Sequence, residues 1–499
     1  MRAVAARQRS RHAGVLPPFP AALRLLPALL TIAWLSALAE RAGAAGFEAT
    51  AALADKGFLI SAQARLLDSG ETLGSLAPHQ QLSPASVSKL YTAGAVLERW
   101  GPQKRFTTRL VSQAEVEAGV LRGDLILDGG GAPGMTSRDY WLLVQGLASR
   151  GIRRIDGRVL ASQWRFGPVA CVTTDRCRAQ TRSRHAYDAR LSSTAVDFAS
   201  WCVEVAPGRA PGTPAQVTGC AGPDPLVTVV NGVETVAGGE TAIGAERTLR
   251  GNEEVMVLSG TLAADASPQR LYRSSAEPAV QSLATLSSLL RNAGIAVTGG
   301  FSATATPPPG NARTLAEVEG EPLQALLLRM LNYSNNFMAD VMALNLAEEA
   351  ASMQGAARAL NDFAAGIPGH GPVDLRSGSG LTPESRVSAA GVVALLDDMY
   401  HRPALFPTFV AGMQGPVNGP MTFIRRGSER FQKSVMLKTG TLNEPVPVRS
   451  VAGYFRTASG RWGAFAVLVN GRAPAPPWLT WRTTLGAVAS DLDAMIADH

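Results

Sequence analysis

The stretch Ser83-Pro84-Ala85-Ser86-Val87-Ser88-Lys89-Leu90 decides how the rest of the chain is read. Ser83 followed by Pro84 predicts an N-cap and a first helical residue. Val87, Leu90, Gly94 and Leu97 then recur at helical spacing until Gly101 stops the run. Three residues apart, Ser86 and Lys89 fall on one helical face, beside the apolar stripe rather than in it. Ser86 is expected in the first turn, where unpaired backbone N–H groups and the helix dipole favour a developing oxyanion. S-x-x-K also arises on ordinary surface helices, so the pair needs partners elsewhere in the chain.

Lysine usage points to such partners. Of 47 basic residues only five are lysine: Lys56, Lys89, Lys104, Lys433 and Lys438. A guanidinium stays protonated, whereas a buried or crowded ammonium can lose its proton and act as a base. A chain this rich in arginine keeps lysine where arginine cannot substitute. Lys89 has a serine three residues before it, and Lys438 opens the sequence Lys-Thr-Gly.

With 499 residues, 46% hydrophobic and 17% charged, the chain has the composition of an ordinary globular protein of two or three domains. Residues 1–45 read as a signal peptide. Arg2, Arg7, Arg9 and Arg11 form a basic start, Leu25 to Ala39 an apolar run broken by Pro27, and Ala42-Gly43-Ala44 a cleavage site. An uncleaved anchor is the alternative. The leader holds six Arg and one Glu, so the formal charge falls from +7 to about +2 without it. Nothing then calls for nucleic acid as a partner, and membrane association is at most peripheral or through the leader.

Cys171, Cys177, Cys202 and Cys220 fit no zinc motif, and an exported location favours disulfides. Three pairings exist; loop closure favours Cys171–Cys177 with Cys202–Cys220. They are expected to staple a local subdomain.

Along the chain, residues 57–76 predict a β-hairpin turning at Asp68-Ser69-Gly70. Leu121 to Asp128 and Ile152 to Leu160 read as strands, and Ser137 to Arg150 as a helix. Gly129-Gly130-Gly131-Ala132-Pro133-Gly134 formally satisfies G-x-G-x-x-G, with Asp156 downstream. Pro133 removes an amide from any phosphate cradle and no further Rossmann strands follow, so a structural turn is expected. Residues 180–265 suit a small β-rich insertion. Val280 to Asn292 is helical, and residues 321–350 predict two helices around the polar break Asn332-Tyr333-Ser334-Asn335-Asn336. That break is also what a plain capping turn would look like. Ser434 to Leu442 alternates as a strand, a hairpin follows over residues 450–469, and Trp481 to Ile496 is a final helix. Hairpins from both chain ends are what a single sheet needs, with the middle of the chain inserted.

Ser86-Val87-Ser88-Lys89, Ser334-Asn335-Asn336 and Lys438-Thr439-Gly440 therefore stand in order on a helix, a loop and a strand. Together they resemble the S-x-x-K, S-x-N and K-T-G set of penicillin-recognising serine enzymes. The gap of about 245 residues between the first two motifs is similar to that of class C low-molecular-mass penicillin-binding proteins, the D-alanyl-D-alanine carboxypeptidase/endopeptidase family. The likeness extends to Gly123-Asp124-Leu125, the glycine-rich turn, Ile155-Asp156-Gly157 and Gly378-Ser379-Gly380-Leu381. Ser377 departs from it, standing where the family usually has Asp, as does Thr382-Pro383-Glu384 after that run.

The resemblance implies an α/β (α+β) transpeptidase fold of the penicillin-binding-protein/β-lactamase type, with β-rich domains inserted between the first and second motifs. On this reading residues 46–105 and 275–499 form the discontinuous catalytic domain and residues 106–274 the disulfide-bearing insertion. The implied roles are Ser86 as nucleophile, Lys89 as its base and Ser334 as proton relay. Asn336 holds the substrate amide, and Lys438, Thr439 and Gly440 bind at the terminal carboxylate. Backbone N–H groups of Ser86 and Thr441 form the oxyanion hole. Lys89 can serve only if its pKa drops by roughly three units. The expected function is periplasmic removal of terminal D-Ala from peptidoglycan stems, or cleavage of D-Ala-diaminoacid cross-links, with β-lactams as further ligands. No cofactor and no metal are implied. The alternatives are a β-lactamase or esterase of the same fold, and a non-catalytic wall-binding protein. G-x-S-x-G and H-E-x-x-H are absent, so another serine-hydrolase fold and a zinc peptidase lack support.

Overall fold

The run from Gly463 to Val469 carries no polar alternation, and in the computed structural model it lies in the central strand of a five-stranded antiparallel sheet. The order is Val435–Leu442, Val448–Arg456, Trp462–Gly471, Phe58–Leu66, Thr72–Leu76. Both faces of the central strand are buried. Phe465, Val467 and Val469 share a core with Leu485, Val488 and Leu492 of the C-terminal helix Trp481–Asp498. Ala464, Ala466 and Leu468 face the other way, towards Leu395 and Leu396 of the helix Ala389–Tyr400. Burying one such leucine, valine or phenylalanine is worth about 1.5–3 kcal/mol, enough to fix the register of a strand apolar on both sides. The chain is described over residues 46–347, 351–472 and 476–499. The expected signal peptide and the last residues of the helix predicted up to Ala350 lie outside them.

The sheet joins both ends of the chain as expected. Phe58–Leu66 pairs with Trp462–Gly471 from Phe58 opposite Gly471 to Leu66 opposite Gly463. Asp491 of the C-terminal helix accepts the backbone N–H groups of Ala49 and Thr50 at 2.9 and 2.8 Å, tying down the short helix Glu48–Ala51.

A second five-stranded sheet lies in the inserted region, in the order Phe301–Thr304, Val159–Ser162, Leu125–Asp128, Thr107–Ser112, Arg313–Glu319. Helices Ser137–Ser149 and Pro278–Asn292 pack against it. Residues 278–319 thus complete a layer begun at 107. We therefore propose that the insertion ends near Gly320 rather than at residue 274. The sequence hid this because the returning strands, such as Phe301–Thr304, are short and largely exposed. The predicted strands Leu121 to Asp128 and Ile152 to Leu160 are each broken in two, at Gly123 and at Gly157. The breaks face each other: a Cβ on Gly157 would sit 2.3 Å from the Gly123 carbonyl carbon, so only glycine lets the two chains pass.

Two further three-stranded sheets build the β-rich part between residues 200 and 274. Cys171 is bonded to Cys177 and Cys202 to Cys220, the pairing that loop closure favours. The glycine-rich turn is structural. Its amides are spent on protein carbonyls, Gly129 on Ser162, Gly130 on Asp128 and Gly131 on Ser193, and Asp156 is ion-paired with Arg122 and Arg154. The three leading amides of the turn are thus taken up within the protein rather than turned to a phosphate.

Candidate active site

Ser83 does not cap a helix. Its N–H donates to Asn470 Oδ1 at 2.8 Å and its carbonyl accepts from Asn470 Nδ2 at 3.1 Å, binding this segment to the central strand. Residues Ala85–Val87 then form a single 3-10 turn, with Ala85 at φ 45°, and the α-helix proper runs Ser88–Trp100. The tertiary pairing with Asn470 overrides the capping expected from Ser-Pro, and the helix starts four residues later than predicted. Ser86 sits within the 3-10 turn, partly open to a cleft of about 550 Å³.

Lys89 is fully buried, not beside the apolar stripe but within the core. Its Nζ lies 2.8 Å from Ser86 Oγ, 2.7 Å from Asn336 Oδ1 and 2.7 Å from the Ser379 carbonyl. The Asn336 oxygen is fixed in place because its Nδ2 donates to the Tyr187 carbonyl at 3.3 Å. Two of the three neighbours can therefore only accept. A neutral amine has two protons for those acceptors and one lone pair left for the Ser86 hydroxyl. Burial first, and the nearby Lys438 cation second, draw the Lys89 pKa well below the ordinary lysine value; Asp340 pushes it back up and Arg176 adds to the decrease.

The predicted break between helices is real. Leu323–Asn332 ends before it and Asn336–Leu346 begins after it. Asn335 is a plain cap, accepting the Met338 N–H at 2.9 Å, whereas its neighbours face the site. Ser334 is held at φ 51°, an uncommon conformation for a residue with a side chain, and its hydroxyl accepts from Lys438 Nζ at 2.9 Å. Lys438 also donates to the Thr439 carbonyl at 2.6 Å.

Burial alone brings the Lys438 pKa down from 10.5 to about 7. Between those values the unfolded chain holds a proton that the folded chain does not. Stability is therefore expected to rise with pH across that window and to be flat below it, by on the order of 4 kcal/mol from this group. Urea midpoints measured at pH 7 and pH 10 should lie closer together in Lys438→Met than in the wild type, the remaining rise belonging to groups such as Lys89.

The strand bearing Lys438 passes very close to the Ser86 turn. A Cβ on Gly440 would lie 2.5 Å from the Pro84 carbonyl oxygen and 2.9 Å from Ser86 N. This approach sets the backbone of residues 439–441 beside that of Ser86. Thr439 is buried and Thr441 exposed, and the Thr441 hydroxyl accepts from Trp481 Nε1 at 2.9 Å. Of the eight predicted site positions other than the cysteines, Ser86, Ser334, Asn336, Thr439 and Thr441 line the cleft, and the buried Lys89, Lys438 and Gly440 touch them from behind.

Sequence reasoning missed the floor and one wall of that cleft. Asp340, fully buried one helical turn after Asn336, accepts the Ser379 N–H at 2.8 Å. The inserted segment around residues 175–188 supplies the wall, with Arg178, Arg184, Tyr187 and Asp188 among its lining residues. Burial, with Asp175 adding to it, pushes the Asp188 carboxyl up to about 7. The i, i+4 spacing of Asn336 and Asp340 was a readable signal. Nothing in the sequence links residues 175–188 to the motifs. The Ser377 hydroxyl, at the position that departs from the family pattern, accepts from the Thr382 hydroxyl at 3.0 Å. Among the described residues no group of three or more His, Cys, Asp or Glu is placed to hold a metal, and no helix is long and apolar enough to cross a membrane.

A family model described as D-Ala-D-Ala carboxypeptidase 3 (S13) matches residues 50–485. A D-alanyl-D-alanine carboxypeptidase of an Actinomadura species is 28% identical over 428 residues, covering 82% of this chain and 77% of that protein. The D-alanyl-D-alanine carboxypeptidase DacB of Haemophilus influenzae is 26% identical over 405 residues, covering 78% and 80%. The crystal structure of penicillin binding protein 4 (dacB) from Haemophilus influenzae superposes with a TM-score of 0.72 at 21% identity, covering 90% of this chain and 99% of that one.

Proposed function

The chain belongs to the D-Ala-D-Ala carboxypeptidase 3 (S13) family and is a serine DD-peptidase, and from that premise we propose how its own residues divide the reaction. Ser86 Oγ attacks the carbonyl between the two D-Ala residues while its proton passes to the neutral Lys89 amine. The oxyanion forms towards the N–H groups of Ser86 and Thr441, each such donor contributing about 3–4 kcal/mol. Ser334 carries a proton to the departing amine, drawing on Lys438 or Lys89. The C–N bond breaks, D-Ala leaves, and an ester on Ser86 remains until water attacks it and returns the proton. Lys438 and Thr439 bind the terminal carboxylate. Asn336 exchanges its bond to the Tyr187 carbonyl for one to the substrate amide. A cross-linked stem is cut in the same way, its leaving amine borne by the diaminoacid of the neighbouring peptide. A β-lactam follows the same path to an acyl-enzyme whose leaving amine stays attached.

The observation that carries this reading is the bond set of Lys89: the Asn336 and Ser379 oxygens can only accept, so a neutral amine would turn its lone pair to the Ser86 hydroxyl. A leader-like N-terminus and two disulfides support placing the enzyme in the periplasm. The test is to incubate the protein with a fluorescent penicillin, a pentapeptide stem and a cross-linked dimer. D-Ala release or dimer cleavage, with label recovered on the peptide containing Ser86, is the expected result. Label that decays within seconds would favour a β-lactamase. Stable label without hydrolysis of either peptide would favour a wall-binding role.

A further inference from the structure

Lys89 is held in place through a route that begins in the inserted region. Its Nζ donates to the Ser379 carbonyl, and the N–H of the same Ser379 donates to Asp340 Oδ1. The other oxygen of Asp340 lies 2.7 Å from Arg176 Nη2. Both side chains are almost wholly inaccessible, 3% exposed for Arg176 and 0% for Asp340. The pair is a close ionic contact rather than an aligned hydrogen bond, since neither atom has a hydrogen-bond partner of good geometry. Arg176 belongs to the short helix Thr174–Arg178, where Thr173 accepts the Arg176 N–H at 3.3 Å and Arg176 Nε donates to the Ala189 carbonyl at 3.0 Å. The adjoining Cys177 is bonded to Cys171, which closes this segment on itself.

A carboxylate this close to the Ser379 turn would, if unpaired, draw a proton onto the lysine it serves. We propose that Arg176, reaching in from the inserted segment, is a positioning residue that neutralises Asp340 and so leaves the Lys89 amine free to take the Ser86 proton. The inference rests on Lys89 acting as the base for Ser86. It gives the insertion a part in the acylation step, beyond walling the cleft.

The charged groups around this route are few. Lys438, Asp340 and Arg176 act on Lys89. Asp188 senses Arg176 in turn, together with Asp175 and Arg178. Removing Arg176 takes a positive charge away from Lys89, which raises the pH at which the amine becomes free. Removing Asp340 leaves the Arg176 cation, which lowers it.

The acid limb of the pH profile for acylation by a fluorescent penicillin reads both signs. In Arg176→Met the limb should move up by about one pH unit or more, an approximately tenfold loss on its acidic side that is recovered at alkaline pH. In Asp340→Asn, which keeps an acceptor for the Ser379 N–H, it should move down. The double variant should return it towards the wild-type position while Asp188 stays in place, and Arg176→Lys should leave it nearly unmoved. A uniform loss at every pH with the limb fixed would make Arg176 purely structural and overturn the proposal. If Arg176→Met does not fold, Asp340→Asn decides alone, an unmoved limb overturning it. Wild-type protein that takes no label on Ser86 would bring down the acylation reading itself, a result distinct from a labelled wild type with an immobile limb.

Discussion

Lys89→Met is expected to lower the acylation rate by about 10³- to 10⁴-fold without loss of the folded state, whereas Ser86→Ala, which has no hydroxyl to acylate, should take no label at all. The variant separates this mechanism from one in which lysine merely supplies charge. A methionine fills nearly the same buried volume and removes an ionisable group from a site with no exposure. What it removes chemically is the amine whose Nζ lies 2.8 Å from Ser86 Oγ, the base of the proposed mechanism. It also leaves the Asn336 and Ser379 oxygens without a donor, a cost of about 1–3 kcal/mol each that a thermal melt will register. Lys89→Arg should be equally inactive for the opposite reason, since a guanidinium keeps its proton at any working pH. A labelling rate within tenfold of wild type in either variant would move the base elsewhere.

The second large effect belongs to a residue with no side chain. Gly440→Ala places a Cβ 2.5 Å from the Pro84 carbonyl oxygen, 2.9 Å from Ser86 N and 3.1 Å from Val87 N. All three are backbone atoms, so no side chain can swing aside. The strand and the nucleophile turn must separate, which pulls the Thr441 and Ser86 amides apart. Loss of one such donor costs about 10²- to 10³-fold in rate, and overpacking a tight contact about 1–3 kcal/mol in stability. Gly486 is the matched control. It lies inside the C-terminal helix with nothing within 4 Å of its Cβ position. Gly486→Ala should raise stability by about 0.5–1 kcal/mol and leave labelling unchanged. Acylation at the wild-type rate in Gly440→Ala would refute the oxyanion-hole assignment.

Much of the site is legible in the sequence alone. Ser86, Lys89, Ser334, Asn336 and the Lys438 strand carry local signals: spacing on a helix, a polar break between apolar runs, alternation on a strand. The sheet built from both chain ends followed from hairpin patterns at residues 57–76 and 450–469. What stayed hidden depends on distant partners. Asn470, near the far end of the chain, decides that Ser83 is not a cap. Full burial of Lys89 needs the helix Asn336–Leu346 and the Ser379 turn packed over it. Arg176 looks in sequence like any other arginine of a short charged helix, because its partner lies 164 residues away at Asp340. The return of residues 301–319 to the inserted sheet is obscured because Phe301–Thr304 is short and exposed and a register shift interrupts the alternation of Arg313–Glu319.

The sheet that joins the two ends has a temporal side. Phe58–Leu66 waits for Trp462–Gly471, and Ser83 waits for Asn470, so the nucleophile turn cannot be seated until nearly four hundred further residues have been made. Lys438 arrives on the same late segment. Pairings of such long range form slowly and close last. A nascent or prematurely ended chain therefore holds Ser86 and Lys89 but no finished cleft. Ser86 and Lys89 thus depend for their surroundings on residues supplied by the far end of the chain.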